Sequence, residues 1–334
     1  MTVIVDVHTH AYPDVYLEDL ERHPEPYALS RDARGRTILT LHGARVVTMT
    51  REMTGVDARI AEMDAHGVDL QILSVTIPNV YVGPQARRPD LARRSNDGLA
   101  EAVRRHPRRL AALASVPLPD AAAAVREMER AVSDLDMVGV VVGSNIDGRY
   151  LDDPGFFPFF ERAQDLDLPI LVHPMPPAGP DATYAPGLVP LLGFVFDTSA
   201  SVARMVLSGV CERLPRLKLI LAHLGGTLPF LLQRLDNGYR AYPEIRGNLP
   251  RPPSHYLRRL FYDTVSFSVP SLRCALDAVG PNQIVMGTDY PHVIGDVAAA
   301  LATIRALGLP EQSTAGVLGG TAAGIFPRLG RRES

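Results

Sequence analysis

Two histidines at strand spacing, His8 and His10, end the segment VIVDVHTH at residues 3–10. The apolar and β-branched residues before them predict a buried strand. Side chains at positions i and i+2 lie on the same face of a strand, so both imidazoles should project together from its carboxyl end. Paired imidazoles form half of a metal site, although two histidines at this spacing also arise by chance.

Three later apolar runs also end in residues of metal-binding or acid–base type, at His173, His223 and Asp289. Three neutral imidazoles and one carboxylate suit zinc, and they also accommodate manganese or iron. We therefore predict a single metal ion whose ligands are His8, His10, His173 and Asp289.

The remaining acid–base residues receive supporting roles. His223 is predicted to transfer protons, because the ordinary pKa of histidine lies near neutrality, and a fifth ligand is the alternative. Asp289 is a second candidate for proton transfer. Asp6 shares a face with the first histidines by strict alternation, and Asp263 ends another run, where it would support the site or cap a helix. His292 is expected to line the pocket.

Apolar, β-branched runs alternate with amphipathic helical patterns along the whole chain. The predicted strands lie near 3–8, 68–75, 110–116, 137–143, 168–173, 217–223, 260–264 and 283–288. The predicted helices cover 56–66, 90–106, 120–134, 154–166, 199–213, 226–240, 270–279 and 295–307. Eight such units predict an α/β fold, a closed parallel (β/α)8 barrel of the TIM type, whose catalytic residues lie at the carboxyl ends of its strands.

We expect residues 1–334 to form one barrel domain with two insertions. Residues 11–55 follow the first strand and contain a predicted hairpin that turns at His42-Gly43, so they would cover the active-site face. Residues 174–198 are rich in proline and glycine, and they would wall the pocket or contact a partner subunit.

Composition excludes several classes of function. The formal net charge is −3 over 334 residues, which predicts no nucleic-acid partner. No run approaches ~18 uninterrupted apolar residues, and the first strand begins without an export signal, so we expect no membrane span and a cytoplasmic location. Cys211 and Cys274 are both expected to be buried thiols in helices.

Lys218 is the only lysine. It precedes its strand, at the opposite end from the predicted site, so a Schiff base, pyridoxal phosphate or a carboxylated lysine between two metals is disfavoured. No glycine-rich dinucleotide motif follows a strand. We therefore expect no organic cofactor.

Four motifs together resemble the amidohydrolase superfamily: HTH at 8–10, LVHP at 171–174, AHLGG at 222–226 and GTDYP at 287–291. The resemblance is greatest to the branch of aminocarboxymuconate semialdehyde decarboxylase and the resorcylate decarboxylases, and it extends over nearly the whole chain. It implies zinc bound by the four predicted ligands, with His223 as the catalytic acid–base.

The same resemblance implies which arginines bind substrate. Arg234 matches an arginine that reaches the site of a neighbouring subunit to bind a carboxylate, which implies a homodimer. Arg45 resembles the other carboxylate-binding arginine, with Arg51 as its rival because the spacing differs by a small insertion. The alternative for each arginine is a solvated or intersubunit ion pair.

We expect a metal-dependent, non-oxidative decarboxylase of an aromatic or unsaturated carboxylic acid. A hydrolase of amides, esters or lactones, or a hydratase, is the alternative, because the same metal would activate water. A metal-binding scaffold without catalysis is disfavoured by the presence of His223. The chain has no tryptophan, and His292 stands where relatives often carry phenylalanine, so its substrate is expected to differ.

Overall fold

The computed structural model describes residues 2–179 and 183–332, and within them eight parallel strands, β1 to β8, close into a barrel. They span Val5–His10, Leu70–Ser74, Leu110–Ser115, Gly139–Gly143, Ile170–His173, Leu219–Leu221, Phe261–Asp263 and Ile284–Val285. Strands adjacent in this order are adjacent in the sheet. Backbone hydrogen bonds from Val7 N to Met286 O and from His10 N to Tyr290 O join the last unit to the first. The predicted barrel is confirmed.

One main helix, α1 to α8, follows each strand. These helices span Val56–His66, Arg88–Arg105, Ala121–Ser133, Phe157–Asp165, Phe194–Leu207, Leu228–Ala241, Val269–Val279 and Val297–Ala306. The prediction differs most at α5, which begins five residues before the predicted 199. It ends at Leu207 because Gly209, at φ 82°, adopts a left-handed conformation before the short helix Val210–Arg213.

A β-bulge in β1 shapes the site. The register against β2 shifts between Asp6 and Thr9, so strict alternation fails there. Val7 packs in the barrel interior, whereas the carboxylate of Asp6 accepts hydrogen bonds from Gln71 and Thr288. The predicted shared face of Asp6 and the histidines is therefore wrong, because the bulge inserts one extra residue between them.

The first insertion contains a helix, Asp14–Arg22, and a three-stranded antiparallel sheet of Ala28–Arg31, Thr37–Leu41 and Ala44–Thr48. His42 and Gly43 have positive φ values of 50° and 77°, as a two-residue type I′ hairpin turn requires. The predicted hairpin is confirmed, and Ala28–Arg31 adds a strand that the sequence analysis did not predict.

Two further expectations concern burial. Cys211 is buried as predicted, but Cys274 is exposed, because it lies off the face of α7 that packs inward through Leu272, Ala275 and Leu276. The continuous helical stretch Val189–Leu207 is long and apolar enough to cross a membrane by length and composition, but 56% of it is buried within the protein. That burial is the pattern of a helix packed against a core.

Candidate functional site

Four side chains from distant parts of the chain converge at the carboxyl end of the barrel. They are His8 and His10 in β1, His173 at the end of β5 and Asp289 after β8, and their ligand-type atoms all lie within 4.8 Å of one another. Asp289 Oδ1 lies 3.3 Å from His8 Nε2 and 3.0 Å from His10 Nε2. All four residues are buried, so the barrel brings together the residues that the sequence analysis predicted as ligands.

The two histidines of β1 are held by hydrogen bonds at Nδ1. His8 Nδ1 lies 2.5 Å from Asp263 Oδ2, and His10 Nδ1 lies 3.0 Å from Ser74 Oγ. Ser74 donates its own hydrogen to Thr9 O, so its oxygen accepts from His10. Both rings therefore carry the proton on Nδ1 and present the Nε2 lone pair to the cluster.

His173 follows the same rule. Its Nδ1 lies 3.1 Å from Pro174 O, and a carbonyl oxygen only accepts, so Nδ1 is the donor. Its Nε2 is buried and has no hydrogen-bond partner among the described residues. Three nitrogen lone pairs and a carboxylate oxygen directed at one point form the donor set of a zinc or manganese site. The residues present therefore fit a metal ion.

Burial and nearby charges shift the pKa values of the ligand cluster in different directions. Burial lowers the pKa of His10 to about 3 and that of His173 well below its ordinary value. Burial also opposes protonation of His8, but the hydrogen bond and charge of Asp263 outweigh it and raise the pKa of His8. Burial alone would raise the pKa of Asp289, but the charge of His292 and the hydrogen bond with His10 outweigh it and hold this pKa well below its usual range. Neutral imidazoles and an ionised carboxylate are the forms that bind metal.

His223 lies beside this cluster but outside it. It lies two residues after the end of β6. Its Nε2 is 3.6 Å from Asp289 Oδ2, whereas the ligand histidines of β1 face the other carboxylate oxygen, Oδ1. Its side chain is 13% exposed, and its Nδ1 has no partner among the described residues. An imidazole that is free at Nδ1 and reaches the cavity is suited to proton transfer.

The backbone at His223 is left-handed. His223 and Leu224 have φ values of 52° and 57°, and their amides donate to Asp263 at 3.1 and 2.8 Å. The glycines that follow serve packing: a Cβ on Gly225 would lie 2.5 Å from the ring of Tyr262. The AHLGG motif therefore positions His223 by tight packing rather than by admitting a ligand to the backbone.

A cavity lies over the cluster and is bounded by both insertions. Arg45, Thr48 and the valines between them form one wall, from the predicted covering hairpin. The segment after β5 supplies Pro190 and Phe194, as expected for residues 174–198. The remaining lining residues come from the ends of β-strands and the loops after them: Ile77, His173, His223, Asp289, His292, Val293 and Ile294.

The predicted substrate-binding residues occupy three different places. Arg45 and His292 line the cavity, and His292 Nε2 lies 3.0 Å from Thr76 Oγ1. Arg51 lines a separate cleft in the first insertion. Arg234 is exposed on α6 and makes no hydrogen bond or ion pair within the part of the chain that the structure describes.

Asp263 contacts two of the candidate site residues, although the sequence alone does not choose between a supporting role and helix capping for it. Its carboxylate contacts His8 and also holds the turn at His223, whereas helix capping was one of the two roles considered. Its position at the end of a predicted barrel strand is the feature of the sequence that indicates a place in the site, because the other site residues also end such strands. Ser74, which holds His10, follows the same rule at the end of β2.

A model of the amidohydrolase family matches residues 5–328 of this chain. The 2-amino-3-carboxymuconate-6-semialdehyde decarboxylase of Dictyostelium discoideum is 29% identical over 324 residues, which cover 95% of this chain and 90% of that protein. The gamma-resorcylate decarboxylase of a Rhizobium species is 35% identical over 250 residues, which cover 70% of this chain and 76% of that protein.

Solved structures agree with these similarities. The 5-carboxyvanillate decarboxylase of Sphingomonas paucimobilis aligns with a TM-score of 0.87 and 31% identity, over 98% of this chain and 99% of that chain. A dihydroxybenzoic acid decarboxylase from a Polaromonas species, solved with manganese and the inhibitor 2-nitroresorcinol, aligns with a TM-score of 0.81 and 26% identity, over 98% and 97% of the two chains. All four relatives are decarboxylases, which favours that prediction over a hydrolase or hydratase. The chain therefore belongs to the amidohydrolase family, in its branch of metal-dependent decarboxylases.

Proposed function

We propose that this protein removes carbon dioxide from an aromatic carboxylic acid without oxidation, with zinc bound by His8, His10, His173 and Asp289. One observation carries the proposal: three Nε2 lone pairs and a carboxylate meet beneath a cavity that also contains His223 and Arg45. The related enzymes act on gamma-resorcylate and 5-carboxyvanillate, which supports a carboxylated phenol as substrate.

The nature of the metal follows from the donor set. Imidazole nitrogens with one carboxylate suit zinc, and they also accept manganese, which the Polaromonas enzyme contains. When bound, the metal supplies a positive charge that polarises the oxygen atoms of the substrate.

Arg45 and the cavity walls orient the substrate. A guanidinium group binds a carboxylate through two parallel hydrogen bonds, and the side chain of Arg45 is exposed at the cavity wall. Val46, Ile77 and Phe194 form apolar walls against which an aromatic ring would pack. His292 offers a hydrogen bond to a polar substituent on that ring.

His223 delivers the proton. The protonated imidazole of His223 transfers a proton to the ring carbon of the substrate that carries the carboxylate. The bond between that carbon and the carboxylate carbon then breaks. Its electron pair returns to the ring, which restores conjugation, and carbon dioxide leaves. Asp289 Oδ2, 3.6 Å from His223 Nε2, stabilises the protonated imidazole before the transfer, and His223 takes up a new proton from solvent afterwards.

Arg234 completes the site across a homodimer. Within one chain its side chain is exposed, has no partner among the described residues and lies outside the cavity lining. A two-fold dimer would bring each Arg234 to the site of the other protomer, where it would bind a carboxylate. A cytoplasmic location, and the absence of membrane and nucleic-acid partners, stay predictions from the sequence.

The test is a comparison of two reactions. Protein loaded with zinc or manganese is incubated with 2,6-dihydroxybenzoate, with 5-carboxyvanillate and with aromatic lactones. Carbon dioxide release and acid release are followed separately. We expect carbon dioxide from at least one carboxylated phenol and no acid from the lactones. Lactone hydrolysis without any decarboxylation would contradict the proposal.

A further inference from the structure

A second cleft lies in the first insertion, away from the cavity over the ligand cluster. It has a volume of about 310 Å³, which is the size of a small-molecule site. We call it the arginine cleft. Its lining includes four arginines, Arg31, Arg34, Arg36 and Arg51, and a set of apolar side chains.

Two of the four arginines in this cleft have no side-chain partner among the described residues. Arg36 is paired with Asp32 at 2.8 Å, and Arg31 donates to Gly35 O. In contrast, the side chains of Arg34 and Arg51 make no hydrogen bond, ion pair or ring contact with any described residue, and both are exposed. Glu21 is the one acidic residue in the lining. The cleft therefore has two guanidinium groups available for an anion.

The floor of the cleft is apolar. Leu17, Leu29 and Met49 are only half-buried there, while Tyr12 and Met53 are buried beneath them. When an apolar ligand covers apolar surface that is partly exposed inside a concave site, the removal of that surface from water favours binding. An ion that is small and fully hydrated would use the guanidinium groups but not this floor.

We propose that the arginine cleft binds an aromatic carboxylate, whose ring covers the floor and whose carboxylate pairs with Arg34 and Arg51. Guanidinium groups match a carboxylate geometrically and stack on planar groups. The cleft volume of about 310 Å³ suits one small molecule rather than an extended acidic peptide. The proposal does not depend on the reaction at the metal cluster, because none of these arginines lines the cavity there.

The bound molecule would lie close to the catalytic cavity. Thr48 lines that cavity, and the next residue, Met49, lines the arginine cleft. Thr50 also donates a hydrogen bond to Pro291 O at 3.2 Å, one residue before His292. One short segment therefore separates the two binding places.

Binding of 1-naphthoate tests the proposal directly. The chain has no tryptophan, so naphthoate fluorescence is measured against a low background, and equilibrium dialysis gives its stoichiometry on the metal-loaded protein. In the variant R34Q/R51Q we expect the cleft affinity to fall at least about tenfold, which is the loss of one good charge-assisted contact. R126Q, at an exposed arginine of α3 that has no partner within the described part of the chain, should bind as the native protein does.

The variant R45Q separates the two sites. Naphthoate bound at the cleft should persist in R45Q and be lost in R34Q/R51Q, and the single variants R34Q and R51Q should each give a partial loss. Unchanged affinity in R34Q/R51Q would overturn the proposal. If 1-naphthamide binds as tightly as 1-naphthoate, the cleft recognises only the apolar ring. If inorganic phosphate or triglutamate displaces naphthoate as effectively as benzoate does, the cleft binds another class of anion. Either result would also overturn it.

Discussion

Asp263 Oδ2 lies 2.5 Å from His8 Nδ1, and both side chains are fully buried. This contact holds the ring of His8 with its Nε2 toward the other ligand atoms. The same oxygen accepts the backbone amide of His223 at 3.1 Å. One carboxylate outside the ligand cluster therefore positions both a proposed metal ligand and the proposed acid.

The variant D263N should weaken metal binding about 10- to 100-fold, because an amide is a poorer partner for His8 Nδ1 than a carboxylate. Asn keeps an oxygen for the amides of Leu224 and Val265, which now donate to Asp263 Oδ1, so the fold should persist. Titration against a competing chelator measures the affinity. D153N, at a surface carboxylate, is the control, and equal metal affinity in both variants would refute the positioning role.

The variants H223A and H173A should separate proton transfer from metal binding. H223A should keep one metal ion per chain and lose about 10²- to 10⁴-fold in kcat, since it removes only a proton donor. H173A should lose the metal, because it removes one of the four converging donors. Elemental analysis and carbon dioxide release provide the two measurements. Loss of metal in H223A would make His223 a ligand instead.

The variant R45Q should raise KM more than about tenfold, because a carboxylate contact of this type contributes 1.5–3 kcal/mol or so. Its kcat should change less, since Arg45 is at the cavity wall, where its side chain donates a hydrogen bond to Thr48 Oγ1 rather than contacting the ligand cluster. R126Q is the matched control at an exposed arginine. A large rise of KM in R51Q, with none in R45Q, would reverse the choice between these two arginines.

Mixed dimers test Arg234. If each site uses His223 of its own chain and Arg234 of its partner, R234A and H223A should each be nearly inactive. Co-refolding or co-expression should then restore about a quarter of native activity, because half of the dimers are mixed and each contains one intact site. No recovery from a mixture that is shown to contain mixed dimers would place Arg234 outside the partner's site.

Arg59 supports the site from behind. Its side chain is buried and donates to Gln71 Oε1 at 3.0 Å and to His10 O, with Tyr290 beneath it. R59L should lower the free energy of unfolding by about 3 kcal/mol, since two buried acceptors lose their donors. Denaturation of R59L is compared with R104Q, at an exposed pair with Glu101, where a change within about 0.5 kcal/mol is expected. Similar values for both variants would contradict this role.

Much of the ligand cluster could be predicted because it depends on local rules. His10 and His173 end apolar runs, and the common fold for eight such runs that alternate with helices is the closed barrel. In that fold the carboxyl ends of all strands lie at one face, so residues far apart in sequence must meet there. No tertiary detail was needed to place these histidines together.

The supporting residues could not be predicted in this way. Strict alternation predicts that Asp6 shares a face with His8, but a bulge in β1 breaks the alternation, and nothing in the pattern of apolar residues marks that bulge. Arg45 and Arg51 lie six residues apart in a single insertion. Only the path of the hairpin places the first over the cavity and the second in another cleft.

The sequence by itself thus determined the strands, the barrel and the identity of the residues that meet at its mouth, because periodicity and chain topology are local properties that the amino acids encode directly. The tertiary structure alone decided which nitrogen of each histidine is presented, through partners such as Asp263 and Ser74. It also decided which loop side chains reach the cavity. For His8 and His10 these partners are 255 and 64 positions away in the chain, and no pattern within one segment specifies such contacts, whereas His173 is held by the carbonyl oxygen of its neighbour Pro174.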